Sequence, residues 1–134
     1  MSGETDLHIL IDSLSPKLHS LRFVFTHVPK GLSFDWSKIQ PVGMFQEHEG
    51  TTLILEQHVA QAHQLNYDTI FACITLMVHS SLNAVGLTAT VSKALAEKDI
   101  PTNIVAAYHH DHIFVPEKKA LSALKILKNL SKES

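Results

Sequence analysis

The segment Thr69-Ile-Phe-Ala-Cys-Ile-Thr-Leu-Met-Val-His79 runs straight into Ser80-Ser-Leu-Asn-Ala-Val-Gly86-Leu87. In an extended chain one face of it carries Ile70, Ala72, Ile74, Leu76 and Val78, and the other carries Phe71, Cys73, Thr75 and Met77. A strand that is apolar on both faces has to be central and covered on each side. Past Ser80–Asn83 the spacing changes to that of a helix over residues 85–98, with Leu87, Val91, Ala94 and Leu95 inward, stopped by Asp99 and Pro101. The unit is strand, turn, helix.

Downstream, residues 102–109 read as a strand, Asp111 as part of a tight turn, and His112–Val115 as the returning strand. Pro116 leads into a helix over residues 117–130, with Ala120, Leu121, Leu124, Leu127 and Leu130 on its apolar face. Upstream, Leu7, Leu10, Ile11 and Leu14 predict a short helix, and residues 21–28 a strand. Pro29–Pro41 reads as a loop holding Trp36, a loop anchor before it is a binding aromatic. Residues 42–47 and 51–56 predict a hairpin, and residues 58–64 a short helix. Each half thus repeats an order of elements, though not a sequence, and the expected division is 1–66 and 67–134. A split βαβ sandwich needs β-α-β-β-α-β. The second half ends on its helix, so its last strand must come from the N-terminal segment or from another subunit.

With 45% hydrophobic and 18% charged residues the chain has an ordinary globular balance. The apolar runs are too short for a membrane span, and the polar N-terminus has no leader pattern. Cys73 has no partner for an internal disulfide, which fits a reducing cytoplasm. Eleven Lys and Arg against thirteen Asp and Glu, with no basic stripe interleaved with aromatics, argue against nucleic acid.

The turn at His79–Gly86 carries the chemistry. A helix start leaves N–H groups unpaired and partly positive, so it can hold a carboxylate. Gly86 lets that backbone approach a ligand, and Ser80, Ser81 and Asn83 supply polar contacts. The plain alternative is that these residues only cap the helix. Asn103, opening the next strand, is expected beside the same turn, where its amide can bond both ends of an amino acid.

His79…Gly86-Leu87, Ala94–Ile100, Asn103-Ile104 and Tyr108–Val115, together with Glu49–Leu53, resemble an ACT domain. More closely, the chain resembles small stand-alone bacterial ACT proteins related to aspartokinase regulatory domains and arginine-sensing ACT proteins. The resemblance covers nearly the whole chain. It departs at Val85-Gly86, where Pro-Gly is usual, and at Thr102, where a glycine-hydrophobic pair is customary. It implies an α+β, ferredoxin-like fold of two tandem subdomains, the first degenerate, with antiparallel sheets, helices on one face and strands shared between units. It also implies a non-catalytic regulatory module that self-associates as a dimer or higher and needs no cofactor. The implied ligand site is His79, Ser80, Ser81, Leu82, Asn83, Ala84, Val85, Gly86, Asn103 and Ile104, for an amino acid held between paired domains.

Two rivals stand beside that reading. One is a structural or protein-interaction module with no ligand. The other is a metal-dependent enzyme using His109-His110-Asp111-His112, against which strand alternation should send His109 and His110 to opposite faces. No Ser/His/Asp elbow, P-loop or CxxC is present.

Overall fold

The structure is a computed structural model and describes residues 3–133. The elements are α1 (Leu7–Asp12), β1 (Pro16–Pro29), β2 (Gly43–Gln46), β3 (Gly50–Glu56), α2 (Gln57–Ala62), β4 (Phe71–Leu76), α3 (Leu87–Ala96), β5 (Asn103–Ala106), β6 (Asp111–Pro116) and α4 (Ala120–Glu133). They form two compact units. Leu21–Phe71 make one; the residues up to Ser20 and from Ala72 onward make the other.

In the Leu21–Phe71 unit the strands are hydrogen-bonded in the order β2-β3-β1. Both pairings are antiparallel, running from Phe23↔Glu56 to Pro29↔Gly50 and from Gly43↔Ile54 to Gln46↔Thr51. Alternation along β1 turns Val24, Thr26 and Val28 inward. Val24 and Val28 close a core with Ile39, Leu53, Leu55 and Ala60. The hydroxyl of buried Thr26 donates to the Asn66 carbonyl at 2.7 Å, so its burial leaves no polar group orphaned. The connecting loop contains one 3₁₀ turn, Trp36–Lys38, held by Asp35 Oδ1 accepting from the Ser37 amide at 3.0 Å. The Trp36 side chain lies outside the described set.

The other unit orders its strands β1-β4-β6-β5, with Pro16–Ser20 as its share of β1. The N-terminal segment is therefore what supplies the strand that the last helix leaves missing. Its antiparallel direction follows from the Met77 amide donating to the Ser15 carbonyl at 3.1 Å and the Val78 amide to Leu14 at 3.4 Å. β4 is half-buried at Phe71 and buried at the five positions after it, as its two apolar faces require. Ala72, Ile74 and Leu76 meet α1, α3 and α4 on one face through Leu10, Leu14, Leu87, Val91, Leu95, Ala123 and Leu127. Fully burying each of the leucines is worth about 1.5–3 kcal/mol.

Local chemistry sets the helix limits. Asp6 Oδ1 accepts from the His8 and Ile9 amides at 3.0 and 3.2 Å and starts α1. The Ser131 hydroxyl ties the end of α4 to the Ile11 carbonyl at 2.7 Å.

Three sequence expectations are corrected. Leu121 is 76% exposed, because Ala120, Ala123 and Leu127 are the positions of α4 that reach the core and residue 121 is turned one step off that stripe. Asp111 does not lie in the turn. Ala107–His110 make the turn, closed by the Ala107 amide on the His110 carbonyl at 3.1 Å, and Asp111 is the first, buried residue of β6. β5 does not neighbour β4, since β6 lies between them.

Candidate functional site

The connection from β4 to α3, residues 77–86, is held down by the chain's own N-terminus. The Glu4 amide donates to the His79 carbonyl and the Ser81 amide to the Glu4 carbonyl, both at 2.9 Å, forming a parallel bridge between Glu4 and Ser80. Such an approach needs a glycine alongside. A Cβ on Gly3 would stand 2.5 Å from the His79 carbonyl oxygen and 2.8 Å from the Ser81 nitrogen. The Glu4 carboxylate then turns the chain away, accepting from the Thr5 and Asp6 amides.

Within the loop, Ser81 makes a turn. Its Oγ accepts from the Asn83 amide at 3.1 Å and its carbonyl from the Ala84 amide at 3.0 Å. Gly86 follows at φ 102°, a left-handed conformation that favours glycine, and forms the N-cap of α3 with no side-chain cap. The first-turn amides of α3 are thus left without a capping side chain. Leu7 lies against this point, its Cδ2 3.1 Å from where a Cβ of residue 86 would be. Leu82, Asn83 and Val85 are exposed, Val85 at 84%.

Beneath the loop lies Asp111. Burial pushes its carboxyl up from the ordinary value, opposed by the neighbouring His112, a hydrogen bond from the Ser80 hydroxyl, and His110. Ser80 and Ser81 are both buried, and their hydroxyls are engaged within the protein. At the same end the rings of His79, His109 and His110 gather, with centroids 5.4 Å apart for His79–His109, 6.5 Å for His79–His110 and 6.2 Å for His109–His110. Tyr108 stands edge-on to His109 at 5.0 Å. Strand alternation would part His109 from His110, but both sit in the turn, where period-two geometry does not apply. His110 Nδ1 is 3.4 Å from the Val78 carbonyl. No group of three or more His, Cys, Asp or Glu side chains among the described residues is arranged to hold a metal ion.

Asn103 is not brought to this loop within the chain. It pairs with Phe114, whereas Ala106 pairs with Asp111 at the loop's end of the sheet. Three residues of strand put Asn103 about 10 Å further along, and β6 separates it from β4. Asn103 is exposed there, while Ile104 is half-buried and packs on the core. The sequence-derived site is thus divided: His79–Gly86 at one end, Asn103 at the other.

A second polar arrangement was not visible in the sequence. On the face of β4 away from the helices, Thr75 Oγ1 lies 2.8 Å from His19 Nε2 and 2.9 Å from His112 Nδ1. Burial lowers the basicity of both histidines, with Lys17 adding to the effect at His19 and His110 and His19 adding to it at His112, where Asp111 opposes it. A single hydroxyl can donate to only one ring while accepting from the other. The three residues are 56 and 37 positions apart, so no local pattern could have announced them.

Sheets of antiparallel strands, helices on one face and a bent loop opening a glycine-started helix define an α+β, ferredoxin-like protein. The ACT domain family matches residues 2–72 and again residues 69–129, and the chain belongs to that family. No curated protein matches it. Among solved structures it is similar to VC0802 of Vibrio cholerae, a protein of unknown function and possible transport protein, with 44% identity, a TM-score of 0.82, and coverage of 93% of this chain and 95% of that one. It also resembles Atu0741 of Agrobacterium tumefaciens at 12% identity and a TM-score of 0.72, covering 87% of each chain. The regulatory subunit of aspartate kinase from Thermus thermophilus shares 10% identity at a TM-score of 0.65, with 88% and 97% covered; these two likenesses are of fold. Among the described residues no helix is long and apolar enough to cross a membrane.

Proposed function

We propose that this protein is a non-catalytic regulatory module that binds a small metabolite, an amino acid before others, at the β4–α3 loop. The observation that carries the reading is the start of α3: left-handed Gly86, no capping side chain, and exposed Leu82, Asn83 and Val85 around it. Unpaired amides there suit a carboxylate, and His79 with its neighbouring rings suits the amino end. Because Asn103 lies at the far end of its own sheet, its part in the site requires a second copy. Occupancy would then bias an association equilibrium, which is the meaning of regulation here. Membership of the ACT family and the fold likeness to an aspartate kinase regulatory subunit support binding over turnover. Buried Cys73, without a disulfide partner, fits action in the cytoplasm.

Thermal melts with each of the twenty amino acids test the proposal, since a ligand at 100 times its dissociation constant adds about 2.7 kcal/mol. One or a few should raise the melting temperature by several degrees, and Asn103→Ala should abolish that rise while leaving the unliganded melt in place. If none raises it, the amino-acid reading fails. A second reading, a structural module without a ligand, is favoured by the internal engagement of Ser80 and Ser81 and by Glu4 occupying the loop backbone. It predicts an oligomer insensitive to Asn103→Ala.

A further inference from the structure

A cavity of about 410 Å³ lies beside α4, away from the β4–α3 loop, and its lining is one-sided in charge. Three of the chain's eleven basic residues border it: Lys98, Lys119 and Lys125. Among the described residues no carboxylate lines it, on a chain whose formal charge is −2. The polar remainder is Ser122 and Asn129, each able to donate a hydrogen bond to an oxyanion. Ile126 and buried Ile100 complete the wall.

This composition has a simple origin in the helix. Lys119, Ser122, Ile126 and Asn129 follow one another by three or four residues, so they form a stripe beside the one formed by Ala120, Ala123 and Leu127 in the core. Lys98, just past the end of α3, then stands across from that stripe, with Ile100 beneath. Ordinary solvated helix faces mix both signs of charge, as the neighbouring Glu117-Lys118 pair does. A concavity edged by a single sign, with apolar walls, focuses potential and raises the local concentration of counter-ions. The size lies within the range of small-molecule pockets, about 300–1,000 Å³, and exceeds what one inorganic ion needs.

We infer that the cavity bordered by Lys98, Lys119 and Lys125 is a binding site for a small soluble metabolite bearing a pyrophosphate-type, multiply charged phosphate group. The three ammonium groups act as point charges on the phosphate oxygens, Ser122 and Asn129 add directional donors, and Ile100 and Ile126 hold the organic part. The site does not depend on the amino-acid reading of the β4–α3 loop, and its success or failure leaves that reading where it stands.

The test is an NMR and calorimetric titration of the full chain with inorganic pyrophosphate. Saturable binding is expected, with amide shifts centred on residues 98–100 and 119–129 and an affinity that falls as ionic strength rises. The Lys98→Gln/Lys119→Gln/Lys125→Gln variant should bind about tenfold more weakly or worse, as loss of charge-assisted bonds demands. The Lys118→Gln/Lys128→Gln variant removes two exposed lysines outside the cavity and should bind within about twofold of wild type. Circular dichroism confirms that both variants are folded. No saturable binding, equal losses in the two variants, or shifts elsewhere would overturn the assignment. So would binding to phosphatidylglycerol vesicles without binding to soluble pyrophosphate.

Discussion

Thr75 Oγ1 stands 2.9 Å from His112 Nδ1, on strands whose pairing brings together residues far apart in the chain. With His19 at 2.8 Å on its other side, this buried hydroxyl joins the Pro16–Ser20 part of β1 to β4 and β6. Replacing it with the near-isosteric Thr75→Val deprives both rings of a partner and should cost about 1–3 kcal/mol in urea unfolding. Thr75→Ser should keep most of the stability. Equal losses from the two would show that shape, and not the hydroxyl, matters there.

The same histidines give stability a pH dependence of definite sign. Both are less basic in the folded chain than in the unfolded one. The unfolded state therefore binds more protons over the interval between the two values. Their contribution is fully present above the ordinary histidine value of about 6.5, and it falls as pH drops through that value toward the lowered folded ones. Asp111 acts oppositely and lower on the scale: its raised carboxyl value favours the folded state at acid pH, an advantage lost as pH rises. The denaturation midpoint should decline between pH 7.5 and 5.5. A flat midpoint across that interval would contradict the histidine account.

Gly3 is expected to be sensitive despite its place near the chain terminus. A Cβ there meets backbone atoms of His79, Ser80 and Ser81, which cannot turn aside as a side-chain end could. Gly3→Ala should detach Glu4 from the loop, and the Ser81 amide should then exchange its hydrogen much faster. Global stability should fall by about 1–3 kcal/mol. Unchanged exchange at Ser81 would mean the bridge is not what secures the loop.

Cys73 should behave as a core residue. Burial pushes its thiol up to about 11, opposed by hydrogen bonding from the neighbouring Thr75 hydroxyl to the sulfur. At pH 8 it should resist thiol reagents in the folded protein and react fully once unfolded. Fast labelling of the native chain would contradict the burial on both faces of β4.

Leu127→Ala removes a fully buried side chain from the core shared by α1, α3 and α4 and should cost about 2–5 kcal/mol. Leu121→Ala, on the exposed side of the same helix, should stay within about 0.5 kcal/mol of wild type. Differential scanning calorimetry separates the two outcomes.

Local periodicity is enough to read much of this protein directly. The two apolar faces of β4, the Leu87-Val91-Leu95 stripe and the hairpin of β2 and β3 each follow from residues a few positions apart, because side-chain direction repeats every two or 3.6 residues. The left-handed start of α3 at Gly86 is not read that way, since a backbone dihedral leaves no trace in side-chain spacing. What the periodicity leaves open is pairing between distant segments. That Pro16–Ser20 lies beside β4, that β6 divides β4 from β5 and carries Asn103 away from His79, and that the Ser80 hydroxyl belongs to Asp111 are all settled by hydrogen bonds across the sheet. So is the gathering of His79, His109 and His110, which depends on where β5 stops. Such contacts arise only when the whole core closes, since each partner satisfies a polar group or an apolar face that its own neighbours in the chain cannot reach.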